Sequence, residues 1–299
     1  MNERLKKIFP NLIIEPKDAS PTSTVYKWFL LQNGTKVGIP KQDLTDKDIH
    51  LLATFLTPYR ADLPHPTKKE IRWQSIVEQT IEHVPTEPLT SYRFVYFSMK
   101  EKQIEPLMFK ESVQTLFDYE IAILWENRNE GVFIEEKVGA QDESIPYEQI
   151  IDVLMNDLSV NIRFLVGPYL NSYQQASIQY MHILTYAKTA FKYATKAVLK
   201  YQEALPYILL EQTDDTFQLY LSEVALQEFA TDKDFLQTIR TFLQCNLNIS
   251  VTAKKLYMHR NSLQYRIDKF IEKTGIDLRQ FHEAVTVYFA LLANMHKDE

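Results

Sequence analysis

The sequence predicts an α+β fold in three parts: a small N-terminal hairpin-and-helix unit, an alternating α/β middle domain and an all-helical C-terminal domain. Three observations carry this. Two β-prone runs flank Asn33-Gly34 near the start. Strand-like and helix-like patterns alternate from Tyr92 to Ala194. Every apolar pattern after about Phe217 has the helical period of about 3.6 residues. A chain of 299 residues, 45% apolar, is long enough to bury more than one core. The expected boundaries are 1–61, 69–212 and 217–299.

In the first unit, Val25–Leu31 and Lys36–Ile39 read as strands joined by Asn33-Gly34. That dipeptide is a strong hairpin signal because both turn positions must reach positive φ. Thr45-Asp46-Lys47-Asp48 reads as an N-cap with an acid three residues on, opening a helix with Ile49, Leu52, Ala53 and Leu56 on one side. The prolines of Asp62-Leu63-Pro64-His65-Pro66-Thr67 end that helix and make a linker. A helix from about Lys69 to His83 follows, before the break at Pro85 and Pro88.

The middle part reads as strand Tyr92–Met99, helix Ile104–Phe117, a hairpin of Glu120–Trp125 and Val132–Glu136, and helix Tyr147–Leu158. Strand Ile162–Val166 and the long helix Gln174–Ala194 come next, the helix carrying Ala176, Tyr180, Ile183, Leu184, Ala187 and Phe191 as one stripe. A strand near Tyr207–Leu210 is expected to close a sheet covered by helices. Beyond it, Phe217/Leu221/Val224/Ala225, Phe235/Ile239/Phe242/Leu243, Leu263/Ile267/Phe270/Ile271 and Phe281/Val285/Tyr288/Phe289/Leu292 mark four helices.

Charge is distributed unevenly. The net charge is −6, which argues against a protein that coats nucleic acid wholesale. Leu205 to Asp232 holds six acids and no Lys or Arg. Ser250 to Gly275 holds six basic residues against two acids, a local +4. A small cationic module on an acidic carrier suits a sequence-specific DNA binder; the same charges also suit a solvated helical face. No apolar run approaches the roughly 18 residues of a membrane span, and Met1–Pro10 has no continuous apolar stretch of a signal peptide. The single Cys245 can make no internal disulfide, and its apolar neighbours suit a buried thiol. A cytoplasmic protein is the expectation.

The cationic stretch has the layout of a helix-turn-helix, a short first helix and a tight turn leading to a second helix that can enter the major groove. Ser250 is the expected cap of the first helix, Ala253 is small at the close approach, and Leu256 and Met258 flank the turn. Leu263 and Ile267 point inward, and Gly275 suits the C-terminal cap. Arg260, Asn261, Gln264 and Tyr265 then lie outward on the first turns of the second helix, with Ser262 among them and Lys269 one turn on. Arg reads guanine and Asn or Gln reads adenine through paired hydrogen bonds. Lys254, Lys255, Arg266 and Lys269 suit phosphates. Arg266, beside Ile267, also suits a pairing with an acid inside the module.

His259-Arg260-Asn261-Ser262-Leu263-Gln264-Tyr265-Arg266, with Ala253 and Leu256 before it and Thr274-Gly275 after it, resembles the C-terminal helix-turn-helix of PucR/CdaR-type transcriptional regulators. Ser262 replaces the family's Thr and keeps the hydroxyl. The resemblance covers about the last seventy residues. Val166-Gly167-Pro168-Tyr169 and Ser172-Tyr173-Gln174-Gln175-Ala176 are similar to the ferredoxin/GGDEF-like middle domain that precedes this motif in the family. The first sixty residues resemble no family.

Enzymatic readings fare poorly. The Gly-Gly-acid turn and metal carboxylates of a diguanylate cyclase are missing; Asn127-Arg128-Asn129-Glu130-Gly131 stands where that turn would fall. Glu135 and Glu136 point to opposite faces of a strand, and they and Asp214-Asp215 read as solvated. The histidines at 50, 65, 83, 182, 259, 282 and 296 show no metal-ligand spacing, and no GxGxxG, P-loop or GxSxG occurs among six glycines. Tyr169, Tyr173, Tyr180, Tyr186 and Tyr193 suit either an effector pocket or ordinary packing. The resulting expectation is a non-enzymatic, cofactor-free regulator that binds double-stranded DNA as a homodimer and responds to a small-molecule effector. The competing expectation is a ligand-sensing or protein-interaction module that keeps the helix-turn-helix fold without binding an operator.

Overall fold

A computed structural model describes residues 2–15, 25–31, 35–59, 63–79, 91–101, 103–137 and 146–295. Its elements run α1 (Asn2–Ile8), β1 (Ile13–Glu15), β2 (Tyr26–Leu30), β3 (Lys36–Pro40), α2 (Asp46–Phe55), β4 (Thr57–Tyr59) and α3 (Lys68–Val77). Then follow β5 (Tyr92–Met99), α4 (Pro106–Gln114), β6 (Ala122–Trp125), β7 (Glu130–Glu136), α5 (Tyr147–Leu158), β8 (Ile162–Val166), α6 (Ala176–Tyr193) and β9 (Val198–Lys200). The rest is helical: α7 (Tyr201–Glu211), α8 (Asp215–Leu226), α9 (Lys233–Gln244), α10 (Ile249–Lys255), α11 (Arg260–Thr274) and α12 (Phe281–Met295). The two sheets have the strand orders β1-β3-β2-β4 and β6-β7-β5-β8-β9. The chain is therefore mixed α+β with a helical C-terminal region. Two compact units emerge: Met1–Ser75 with Ser98–Ile134 and Asp152–Ile162, and Ile76–Phe97 with Glu135–Ile151 and Arg163–Glu299.

In the first unit, β2 and β3 pair antiparallel with Phe29 opposite Val37, and both side chains are fully buried with Ile39, Leu52 and Leu56. The Asn33-Gly34 turn lies outside the described residues. Gly38 is needed where it stands, because a Cβ there would sit 2.9 Å from the Trp28 ring. Thr45 and Asp48 form the expected capping box on α2. Leu52 and Leu56 are buried as the pattern required, whereas Ala53 is exposed. At the start of α3, Glu70 is 2% exposed. Its carboxylate accepts from Thr67 N (2.8 Å), Lys110 Nζ (2.6 Å) and Ile123 N (3.0 Å), tying α3 to α4 and β6. Helix α3 ends at Val77, short of the expected end near His83, because Gln79 takes a left-handed backbone (φ 55°) that breaks the helical course; residues 80–90, the two prolines among them, lie outside the described residues. The β6–β7 turn is held by its own side chains: Asn127 Oδ1 accepts from Asn129 N (2.8 Å), and Asn127 Nδ2 donates to Glu130 Oε2 (3.0 Å).

In the second unit, the strand expected at Tyr207–Leu210 is instead helix α7, and the strand parallel to β8 is β9 at Val198–Lys200. Periodicity alone does not resolve a short apolar run. Burial of Ala204, Tyr207 and Ile208 follows helical spacing, and Glu203 accepts from Lys200 N to start the helix. Glu135 is not solvated, contrary to expectation. It is 4% exposed, and it accepts from Arg93 Nη2 (2.8 Å), Tyr147 Oη (2.8 Å) and Tyr169 Oη (2.6 Å). A buried carboxylate is tolerated because donors from three side chains, Arg93 through both Nε and Nη2, replace its water.

The remaining tyrosines that suited an effector pocket are engaged in packing. Tyr173 stacks on Tyr92, Tyr180 meets Phe94 edge-on, Tyr186 stacks on His182, and Tyr193 stacks on Tyr207. Helix α7 packs against both α6 and α12. The C-terminal helices close around Phe229, Phe235, Ile239, Phe242, Leu263, Ile267, Phe270 and Val287. Phe229 and Phe235 stack at 4.3 Å. Two members of the expected stripe on α8, Phe217 and Val224, face solvent; Ala225 is buried as expected, and Leu226 points inward beside it. Cys245 is half-buried at the C-cap of α9.

Candidate nucleic-acid interface

The helix-turn-helix is α10, the four-residue turn Leu256–His259 and α11. Its cap is Asn248 rather than Ser250: Asn248 Oδ1 accepts from Val251 N at 3.0 Å, and Ser250 lies inside the helix. Both types can cap; the extended backbone that a cap requires falls at 248 (φ −93°, ψ 107°). Ala253 is buried where α10 meets α11, and Met258 N donates to Ala253 O at 2.9 Å to close the turn. His259 caps α11 through Nδ1, which accepts from Asn261 N at 3.3 Å. Leu263, Ile267 and Phe270 are fully buried along its inner face. Gly275 ends it in the left-handed conformation, φ 73°, donating to Ile271 O.

The outward residues sort into two groups. Arg260, Asn261, Ser262, Tyr265 and Lys269 are exposed on α11, as are Lys254 and Lys255 on the last turn of α10. None of the four cations here, Lys254, Lys255, Arg260 and Lys269, has a carboxylate partner among the described residues. The second group is engaged within the module. Gln264, half-buried, donates to Asp268 Oδ1 at 2.9 Å. Arg266, also half-buried, donates from Nη1 to Thr238 Oγ1 of α9 at 2.8 Å, and Thr238 passes its own hydrogen to Asp234 O. Its internal partner is a hydroxyl, not an acid. Lys273 faces Glu228 at 3.8 Å. Arg279 grips Asp277 at 2.8 Å, and that hydrogen bond holds the Asp277 carboxyl below the usual range.

Sequence reasoning passed over two residues. Thr238, apolar-facing on α9, carried no mark of its role. Tyr257 did carry one: between Leu256 and Met258 it had to be the turn residue itself, and it is 99% exposed at φ 53°. Among the described residues no group of three His, Cys, Asp or Glu is placed to share a metal ion, and no helix is long and apolar enough to cross a membrane.

The family model for the PucR C-terminal helix-turn-helix domain matches residues 235–293, from the first turn of α9 to the last of α12. Over its length the chain is 33% identical to the Bacillus subtilis protein YxkF, covering 88% of this chain and 89% of that one. The chain belongs to the YxkF family. Its C-terminal part is a PucR-type helix-turn-helix, shared with known regulators over shorter stretches. The proline-responsive transcriptional activator PutR of B. subtilis is 27% identical over 34% of this chain and 24% of its own length. The carbohydrate diacid regulator of Escherichia coli is 36% identical over 18% of this chain and 14% of its own.

Proposed function

We propose that this protein is a sequence-specific DNA-binding transcriptional regulator of the cytoplasm, active as a homodimer and responsive to a small-molecule effector. The observation that carries the reading is the outer face of α11. Arg260 and Asn261 stand exposed on its first turn, and Lys254, Lys255 and Lys269 around them, like Arg260, have no carboxylate partner among the described residues. Arg260, Asn261, Gln264 and Tyr265 contact base edges or adjacent phosphates, with Ser262 beside them. Lys254, Lys255 and Lys269 hold phosphates. Arg266 acts by fixing α11 on α9. One such module reads only a few base pairs, so two copies bind half-sites about one helical turn apart.

The middle domain, within 69–212, serves as a degenerate GGDEF-like sensing or dimerising domain without catalysis or cofactor. The element order β5-α4-β6-β7-α5-β8 with strand order β6-β7-β5-β8 favours this. Residues 1–61 and 217–299 form the flanking domains. The test is binding of the purified chain to DNA from upstream of its own gene and to a scrambled fragment. Preference for the upstream fragment, lost in the Arg260→Ala/Gln264→Ala double variant, is expected. Absence of binding to either fragment at low salt would replace this reading with that of a protein-interaction or ligand-sensing module.

A further inference from the structure

The turn between α10 and α11 contains a residue, Tyr257, whose backbone closes α10 but whose side chain the fold does not use. Tyr257 has φ 53°, in the left-handed region where a Cβ crowds the following carbonyl and a bulky side chain is rare. Leu247, at φ 61°, bears the same strain but packs its side chain against the helical core. Tyr257 has no such return, since its side chain is 99% exposed. Glycine would remove the strain and forfeit no packing. The ring is therefore free to meet something outside the chain. Its neighbours define the chemistry of that partner. Lys254 and Lys255 stand exposed just before the turn and Arg260 just after it, and none of them has a carboxylate partner among the described residues. A neutral hydroxyl set among free cations suits an anion rich in acceptor oxygens.

We infer that Tyr257 donates its Oη hydrogen to a DNA backbone phosphate beside the groove that α11 enters. The contact fixes the register of α11 and carries no sequence information. This inference rests on the DNA-binding reading above. The experiment uses the full chain and a random-sequence duplex of about 30 base pairs at low salt, because phosphate contacts persist in non-specific binding. Wild type, Tyr257→Phe, Tyr257→Ala and Arg260→Ala are compared by fluorescence anisotropy across a salt series, with thermal melts to confirm folding.

Tyr257→Phe is expected to melt like wild type and to bind about tenfold more weakly. Its salt slope should be unchanged, because a phenol displaces no counterion. Wild-type affinity in Tyr257→Phe, with Arg260→Ala weakened, overturns the inference and leaves the DNA-binding reading standing. Weakening in Tyr257→Ala alone also overturns it, in favour of ring stacking. No binding by the wild type itself defeats both.

Discussion

The salt dependence of DNA binding follows from which cations of the helical module are free. Lys254, Lys255, Arg260 and Lys269 are exposed without a carboxylate partner among the described residues, whereas Lys273 faces Glu228 and Arg266 is turned onto Thr238. Each phosphate neutralised on duplex DNA contributes about −0.9 to the slope of log K against log salt. The three lysines on phosphates give about −2.7 for one module and about −5.4 for two copies on paired half-sites. From about 50 to about 200 mM salt, one module then loses about 40-fold in affinity. The Lys254→Ala/Lys255→Ala double variant should flatten the slope by about 1.8 per module. Arg266→Ala should leave the slope unchanged and lower the stability by about 1–2 kcal/mol, through the lost bond to Thr238 and the lost packing of the arginine stem. Anisotropy titrations at several salt concentrations and urea unfolding measure both. A wild-type slope shallower than about −1, or one that drops with Arg266→Ala as far as with the lysine pair, would refute this assignment of the cations.

Three further outcomes are expected. Gly275→Ala should destabilise by about 1 kcal/mol through its left-handed backbone alone, since no atom lies within 4 Å of the added Cβ; melting temperature should fall by about 2–4 °C with DNA affinity unchanged. Glu70→Ala should cost about 3–5 kcal/mol in urea unfolding, because it strands the Lys110 ammonium and the buried Ile123 N–H; a loss under about 1 kcal/mol would mean that water replaces the carboxylate. Tyr257→Gly should gain about 1 kcal/mol in stability while binding DNA about tenfold more weakly. Stability gained with affinity intact would show that the strain serves no contact.

Most elements were legible in the sequence because their signals are local. The Thr45/Asp48 box, the alternation through β5 to β8 and the inward series Leu263, Ile267 and Phe270 each reside in a few neighbouring residues. What escaped depends on longer range or on competing local options. Ser250 and Asn248 are both competent caps, and only the backbone course chooses between them. The run at Tyr207–Leu210 fits a buried strand as well as a helix until Glu203 and the faces of α6 and α12 decide it. Glu135 could be recognised as buried only once Arg93, Tyr147 and Tyr169, from three distant segments, had converged on it. Within the candidate interface, Arg260, Asn261, Tyr265 and Lys269 are exposed as expected, whereas Gln264 is half-buried and bonded to Asp268. The separation of Arg266 from Lys254, Lys255, Arg260 and Lys269 needed Thr238, twenty-eight positions earlier.

Helix α8 lies along α12, and this sets a boundary of another kind. The stretch shared with the PucR-type domain begins at 235. Yet Leu221, Ala225, Leu226 and Phe229 line the same core as Ile267, Phe270 and Val287, and Ser222 donates to Asn294 at 2.9 Å. The segment that the PucR-type family model matches is therefore shorter than what folds. A chimaera spliced at 235 would transplant the reading helix while abandoning the scaffold behind it, and its host would have to supply matching apolar residues. A splice ahead of Asp214 carries that scaffold along with its cap.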